Sequence, residues 1–174
     1  KQIERKYKNI NKKFLFVNSG FNFRPTDIQA AIGHSQFNSL NDFIYTRRIN
    51  RDKIIKTLVN DKRWNNQVDF IQKGDQVKPS WFGLSMLINK KIKKNKKMII
   101  NKLDRLGIET RPIIGGNFLK QPALKKYNLK QKSSNFPNAN YVHEHGLFVG
   151  LKNKTLSYNE TKKFADIFFK AFNI

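Results

Sequence analysis

Apolar residues recur at roughly helical spacing at Ile28, Ala31, Ile32, Leu40, Phe43, Ile44, Ile54, Ile55 and Leu58, which predicts a long helical region. Asn38 to Asn41 interrupt it and suggest a bend between two helices. Its start is marked by Thr26 and Gln29, at the spacing of a reciprocal capping box, with Asp27 suited to the positive helix end. Two runs rich in strand-favouring residues follow, 68–71 and 81–88, separated by a turn region holding Gly74 and Pro79. Between about 94 and 106, Met98, Ile99, Leu103 and Leu106 make an apolar face. Gly107 followed by Ile108 has the form of a left-handed helix cap with its hydrophobic contact. Residues 109–114 restart as a strand and run into Gly115-Gly116-Asn117, a turn where backbone can approach a ligand closely. A polar stretch, 128–135, reads as irregular; 138–145 can form a short helix stopped by Gly146, and 147–149 a brief strand. The final helix starts at Ser157, has Glu160 three residues on, and puts Phe164, Ile167, Phe168 and Ala171 on one face. This order predicts an α+β fold with helices on one side of a small sheet, without internal repeats or low-complexity linkers.

Composition narrows the class. In 174 residues, 39% are hydrophobic and 13% aromatic, enough for one ordinary core. Cysteine is absent, which excludes disulfides and thiolate metal sites and makes a reducing, cytoplasmic setting natural. The start at Lys1 reads as a cut end without the apolar segment of a secretory signal, and the longest apolar run is far short of the ~20 residues that span a bilayer. A soluble protein is expected. Against 12 acidic residues stand 35 Lys plus Arg, for a formal charge of +23, so a polyanionic partner has to be weighed. The basic residues are spread along the chain and are mostly Lys. The densest run, 89–97, has no interleaved aromatics for base stacking and leads into an amphipathic helix, which favours a solvated surface over a nucleic-acid contact.

Read for chemistry, the chain offers no complete catalytic centre. Its histidines are His34, His143 and His145, none with metal-site spacing, and there is no Gly-x-Ser-x-Gly turn and no Gly-rich phosphate loop. Two partial sites stand out. Asn22 and Arg24 precede a capped helix start, an arrangement able to hold a phosphate; equally, Asn22 can satisfy its own turn while Arg24 lies on the surface. Glu109 and Arg111 alternate about Thr110, so both side chains should leave one strand face near the turn at Asn117. A carboxylate, a guanidinium fork and an amide there can grip hydroxyls and phosphates of a sugar nucleotide, or the two charges can simply neutralise each other.

At these same positions the sequence resembles the DegT-type, or StrS-type, sugar aminotransferases, a family that also contains pyridoxamine-dependent 3-dehydratases of nucleotide-linked keto-deoxy sugars. The block from Gly20 to Gly33, GFNFRPTDIQAAIG, is similar to the family's Gly-Tyr-Asn-x-Arg-x-x-x-x-Gln-Ala-Ala-x-Gly. SWFG at 80–83, GIETRPIIGGNFLKQP at 107–122, FPNAN at 136–140 and GLFVG at 146–150 keep the family's order. The resemblance implies the C-terminal small domain of a fold-type-I, aspartate-aminotransferase-like enzyme, with residues 1–60 as the end of a large domain plus connecting helices and 61–174 as the small domain. It implies pyridoxal 5'-phosphate or pyridoxamine 5'-phosphate as cofactor, a nucleotide-sugar substrate, and a homodimer with shared active sites. Asn22 would bind the cofactor phosphate in the neighbouring subunit's site; Glu109 and Arg111 would face the sugar nucleotide, with Asn117 nearby. The Schiff-base lysine, or the histidine that replaces it in the dehydratases, is expected upstream of this chain, leaving it inactive alone. Transamination is the first expectation and 3-dehydration the close alternative, in the usual setting of surface-polysaccharide assembly. A basic nucleic-acid-binding module is the distant alternative.

Overall fold

The computed structural model describes residues 2–21, 23–127 and 131–173. Its helices are α1 (Gln2–Lys6), α2 (Asp27–Phe37), α3 (Leu40–Val59), α4 (Lys96–Arg105), α5 (Pro122–Lys125), α6 (Pro137–His145) and α7 (Tyr158–Phe172), with short 3-10 turns between some of them. Four strands, β1 (Val68–Phe70), β2 (Gly83–Ile88), β3 (Thr110–Arg111) and β4 (Gly146–Gly150), form one sheet in the order β1-β2-β4-β3, all pairs antiparallel. The α+β expectation holds. None of the helices is long and apolar enough to cross a membrane.

Local signals position the elements as their chemistry dictates. At the start of α7 the Ser157 N–H donates to Glu160 Oε2 at 2.9 Å and the Glu160 N–H donates to Ser157 Oγ at 3.2 Å, the reciprocal box. At the end of α4, Gly107 takes a φ of +91°, and its N–H and that of Ile108 donate to Asp104 and Leu103 carbonyls. That is the Schellman pattern, and only glycine adopts this φ cheaply. α4 begins two residues later than its pattern suggests, because Asn95 caps it through the Lys97 N–H. The bend at 38–41 is a true break between α2 and α3.

The face of the sheet carrying Leu84, Met86, Ile88, Leu147 and Val149 packs against α3, α4 and α7, which contribute Ile54, Leu58, Ile99, Leu103, Phe168 and Phe169. Alternation along β2 and β4 turns one apolar set inward, which fixes register: a slip of one residue would expose it. Gly83 opposes Gly150 in this register, and a side chain at Gly83 would collide with Phe148 and with the Val149 carbonyl at 2.5 Å.

Two differences from expectation matter for the site. The strand predicted over 109–114 pairs only at Thr110 and Arg111. Pro112 has no N–H to donate and Ile114 sits at φ +51°, so the ladder ends and the chain turns away. The periodic apolar residues Ile28 and Ile32 are 74% and 61% exposed, and α2 buries no residue at all. Among the described residues nothing buries this face, so helical period alone did not place them in a core. The polar stretch expected to be irregular begins at residues 128–130, which lie outside the described residues.

Candidate functional site

The site is built around β3, an edge strand. Thr110 points inward, where its N–H and hydroxyl both donate to Asp104 Oδ1 at 3.0 and 3.1 Å, and this pins the strand to α4. With Thr110 anchored, strand alternation turns Glu109 and Arg111 outward together. Arg111 donates to Glu109 Oε1 at 3.5 Å, and Lys13 lies 3.7 Å from the same oxygen. The pair is therefore brought together on one exposed face, as the sequence suggested, and a second cation joins it. Nothing in the sequence pattern signals Lys13; it arrives through a contact across almost a hundred residues.

That contact has an identifiable cause. Gln121 is wholly buried and uses its amide as a clamp: it donates to the Phe14 and Gly115 carbonyls at 3.1 Å each and accepts from the Phe16 N–H at 3.1 Å. The Ala123 N–H donates to the Phe16 carbonyl at 2.9 Å, and the Phe16 and Phe118 rings stack with centroids 5.3 Å apart. Lys126 with Asn18, and Tyr127 with Ser19, extend the seam. A buried glutamine with every polar atom satisfied locks two distant segments together, because breaking one of its bonds would strand a desolvated amide or carbonyl. Its sequence signal is only a polar residue immediately before Pro122, which is weak.

The turn after β3 is fixed from the other side. Gly116 sits at φ +65°, with no room for a side chain because the imidazole of His143 occupies that place. The Asn117 N–H donates to His143 Nδ1 at 3.2 Å. The Asn117 side chain is 3% exposed: its amide donates to Asn140 Oδ1 and Ser133 Oγ, and its carbonyl accepts from the Leu119 N–H. Asn117 thus turns its side chain into the fold, where Asn140, Ser133 and Leu119 occupy its polar atoms, and away from solvent. Lys96, at the start of α4, donates to the His143 and Gly146 carbonyls at 2.6 and 3.1 Å and holds the end of α6 against the sheet. Burial, opposed by Glu144 and reinforced by Lys120, pushes the Lys96 ammonium down to about 8.

His143 accepts at Nδ1, so it must be neutral to play this part. Burial first, then Lys120 and Lys96, hold its pKa below the ordinary value, with Glu144 opposing. A lowered folded-state pKa means the unfolded chain takes up the proton first, so this contribution is complete above about pH 6.5 and is lost as pH falls toward the folded value. The variant His143→Gln keeps an acceptor and does not titrate. Its melting temperature should fall less than that of the native chain between pH 7.5 and 5.5, whereas parallel losses would remove His143 from the account.

Of the first partial site, Asn22 lies outside the described residues. Around it, Phe23 to Gln29 are exposed, and Gln29 accepts from the Thr26 N–H at 2.7 Å to start α2. Among the described residues, no side-chain hydrogen bond or ion pair joins Arg24 or α2 to Glu109, Arg111 or Gln121.

Residues 2–165 match the model of the DegT/DnrJ/EryC1/StrS aminotransferase family. A relative from Escherichia coli O55:H7, GDP-4-keto-6-deoxy-D-mannose 3-dehydratase, is 37% identical over 141 residues, 81% of this chain and 35% of the relative. A solved structure of the E. coli GDP-4-keto-6-deoxy-D-mannose-3-dehydratase with bound hydrated PLP superposes with a TM-score of 0.70 at 33% identity, covering 90% of this chain and 39% of that one. A putative sugar aminotransferase of Streptococcus pneumoniae in its PMP form reaches the same TM-score at 19% identity, covering 90% and 37%, which speaks to fold only. The chain spans about a third of the length of the curated relatives it matches. A family match across nearly the whole chain, together with an α+β fold that superposes on its members, places this protein in the DegT/DnrJ/EryC1/StrS aminotransferase family.

Proposed function

We propose that this chain is the C-terminal part of a pyridoxal-phosphate-type enzyme that removes the 3-hydroxyl of a nucleotide-linked 4-keto-6-deoxy sugar, working in the cytoplasm as a homodimer with shared sites. The observation that carries the reading is the Glu109 and Arg111 pair on one exposed face of an edge strand, with Lys13 beside it. An exposed ion pair is worth at most about 1 kcal/mol of stability, so fold stability is a poor reason for building it so deliberately. A fork-shaped cation and a carboxylate side by side suit a ligand that carries both phosphates and hydroxyls. Dehydration is preferred over transamination because identity to the 3-dehydratase is 37% and 33%, while the aminotransferase neighbour shares only a fold.

In this reading residues 1–60 close a larger domain and 61–174 form the small one. The bare α2 supports that division, although Ile54 and Leu58 of α3 already belong to the small-domain core. The residues present fit the phosphate end of the cofactor: Asn22, Arg24 and the exposed start of α2 would hold it, in the site of the neighbouring subunit. Pyridoxal phosphate, when bound, supplies the electron sink for the chemistry. Glu109 and Arg111 would orient the sugar nucleotide, and Asn117, through its backbone bond to His143, would shape the turn against it.

The test is product analysis. The polypeptide encoded by the complete open reading frame around this segment is given GDP-4-keto-6-deoxymannose, pyridoxal phosphate and L-glutamate, and the sugar product is identified by mass spectrometry. A 3-deoxy sugar is expected. An amino sugar would restore transamination, and an unchanged substrate would defeat both.

A further inference from the structure

No acidic residue stands between Asp75 and Asp104, and within that span Lys90, Lys91, Lys93, Lys94, Lys96 and Lys97 crowd the turn from β2 into α4. The fold holds this turn firmly. The Asn89 N–H donates to the Gln67 carbonyl at 2.9 Å, while the Asn89 side chain and carbonyl accept from the Lys91 and Ile92 N–H groups at 3.1 and 2.9 Å. Ile92 packs against the hydrophobic core, and Asn95 closes the turn by accepting from the Lys97 N–H at 2.8 Å. With Ile92 as the inward anchor, Lys90, Lys91, Lys93 and Lys97 are left exposed.

Two of the six cations serve the fold. Lys94 donates to the Ala171 carbonyl at 2.8 Å near the end of α7, and Lys96 to the His143 carbonyl near the end of α6, where positive charge suits the negative helix ends. The four exposed lysines do no such work. Lys91 reaches the Asn65 amide oxygen at 3.2 Å and Lys90 lies 5.0 Å over the Tyr141 ring, contacts that leave the net charge in place. Among the described residues, no carboxylate pairs with any of the four, and Asp61, on the loop that carries Asn65, belongs to Arg63 at 2.7 Å. Many lysines are expected on a chain of charge +23, so their number alone decides nothing. What sets this turn apart is that a fixed backbone presents uncompensated cations together with an apolar side chain: Met98, next to Lys97 in the first turn of α4, is 59% exposed.

We propose that this turn is a peripheral docking surface for an anionic phospholipid bilayer. Lysine point charges suit the diffuse charge of a headgroup layer, whereas paired phosphate oxygens call for a guanidinium fork. Met98 enters the boundary between headgroups and acyl chains beside them. Nucleic acid is the poorer fit, because residues 89–98 hold no arginine to read base edges and no aromatic ring to stack on bases. This contact is independent of the enzymatic reading.

The experiment is sedimentation of the full chain with vesicles of phosphatidylcholine alone or with about 30% phosphatidylglycerol, at an ionic strength of about 0.15 M, where charges beyond ~8 Å are screened. Binding to the phosphatidylglycerol vesicles and not to phosphatidylcholine is expected. Each lysine at such a surface changes partitioning on the order of fivefold, so Lys90→Gln, Lys91→Gln, Lys93→Gln and Lys97→Gln together should lower it by roughly 100-fold or more. Removing equal charge from α3, α7 and the loop before α7, with Lys56→Gln, Lys154→Gln, Lys162→Gln and Lys163→Gln, should lower it by less than about fivefold. Met98→Ser, which leaves every charge in place, should weaken vesicle binding by about threefold. Circular dichroism checks that each variant folds. Equal losses in the two quadruple variants, or equal binding to both kinds of vesicle, would overturn the surface. Tighter binding to a DNA duplex of about 20 base pairs than to the vesicles, lost in the turn variant, would reassign the lysines to nucleic acid and also overturn it.

Discussion

Arg111→Ala is expected to lower kcat/KM of the complete enzyme for its nucleotide-linked sugar by roughly 100-fold, and Glu109→Gln by a similar factor, while melting temperature barely moves. The Arg111 and Glu109 side chains are 48% and 63% exposed and 3.5 Å apart, a pair that adds no more than about 1 kcal/mol to folding. In the proposed complex, where a sugar nucleotide and the rest of the enzyme would exclude water from this face, the same groups would make charge-assisted hydrogen bonds at low dielectric. Truncating one partner then costs on the order of 3 kcal/mol, which is the 100-fold. Arg111→Lys should recover little, because a point charge cannot reproduce the fork. Steady-state kinetics set beside thermal melts read both quantities. A drop in melting temperature with unchanged kinetics would mean that the pair only neutralises itself.

The second large effect concerns the core. Phe168 is fully buried, and its ring lies 6.5 Å from Trp64, 5.4 Å from Phe169 and 4.6 Å from Phe172 by centroid. It is the point where α7 meets the layer under the sheet, so Phe168→Ala removes a large ring whose neighbours cannot collapse into the space. A loss of about 3–5 kcal/mol is expected. Against a total stability of order 5–15 kcal/mol, that takes away much of the margin. Chemical denaturation should show the midpoint fall steeply, with Tyr158→Ala, on the 73% exposed tyrosine at the start of the same helix, moving it by less than about 0.5 kcal/mol. Equal shifts would show that the core is not centred on α7.

What was legible in the sequence was local. Ser157 with Glu160 and Gly107 with Ile108 each encode their structure within a few residues and are found as read, and the strand-favouring run at 81–88 forms β2 over 83–88. The outward pairing of Glu109 and Arg111 was legible for the same reason, since it needs only the period of a strand. Strand length was not: Pro112 and Ile114 end β3 after two residues, and the left-handed φ at an isoleucine has no sequence mark. Neither was the seam that brings Lys13 to Glu109, because it depends on Gln121 meeting Phe14 and Phe16 across more than a hundred positions. The same holds for His143, whose acceptor role toward Asn117 spans 26 residues. The exposed Ile28 and Ile32 show the complementary limit: helical period says that a face is apolar, not what covers it.

The proposed function requires the outward face of β3 to contact the substrate. A crystal structure of the complete enzyme with pyridoxal phosphate and a GDP-linked sugar tests it most directly. The guanidinium of Arg111 and the carboxylate of Glu109 should both lie within hydrogen-bonding distance of that ligand. Finding the ligand bound elsewhere, with this pair still facing bulk solvent, would contradict it.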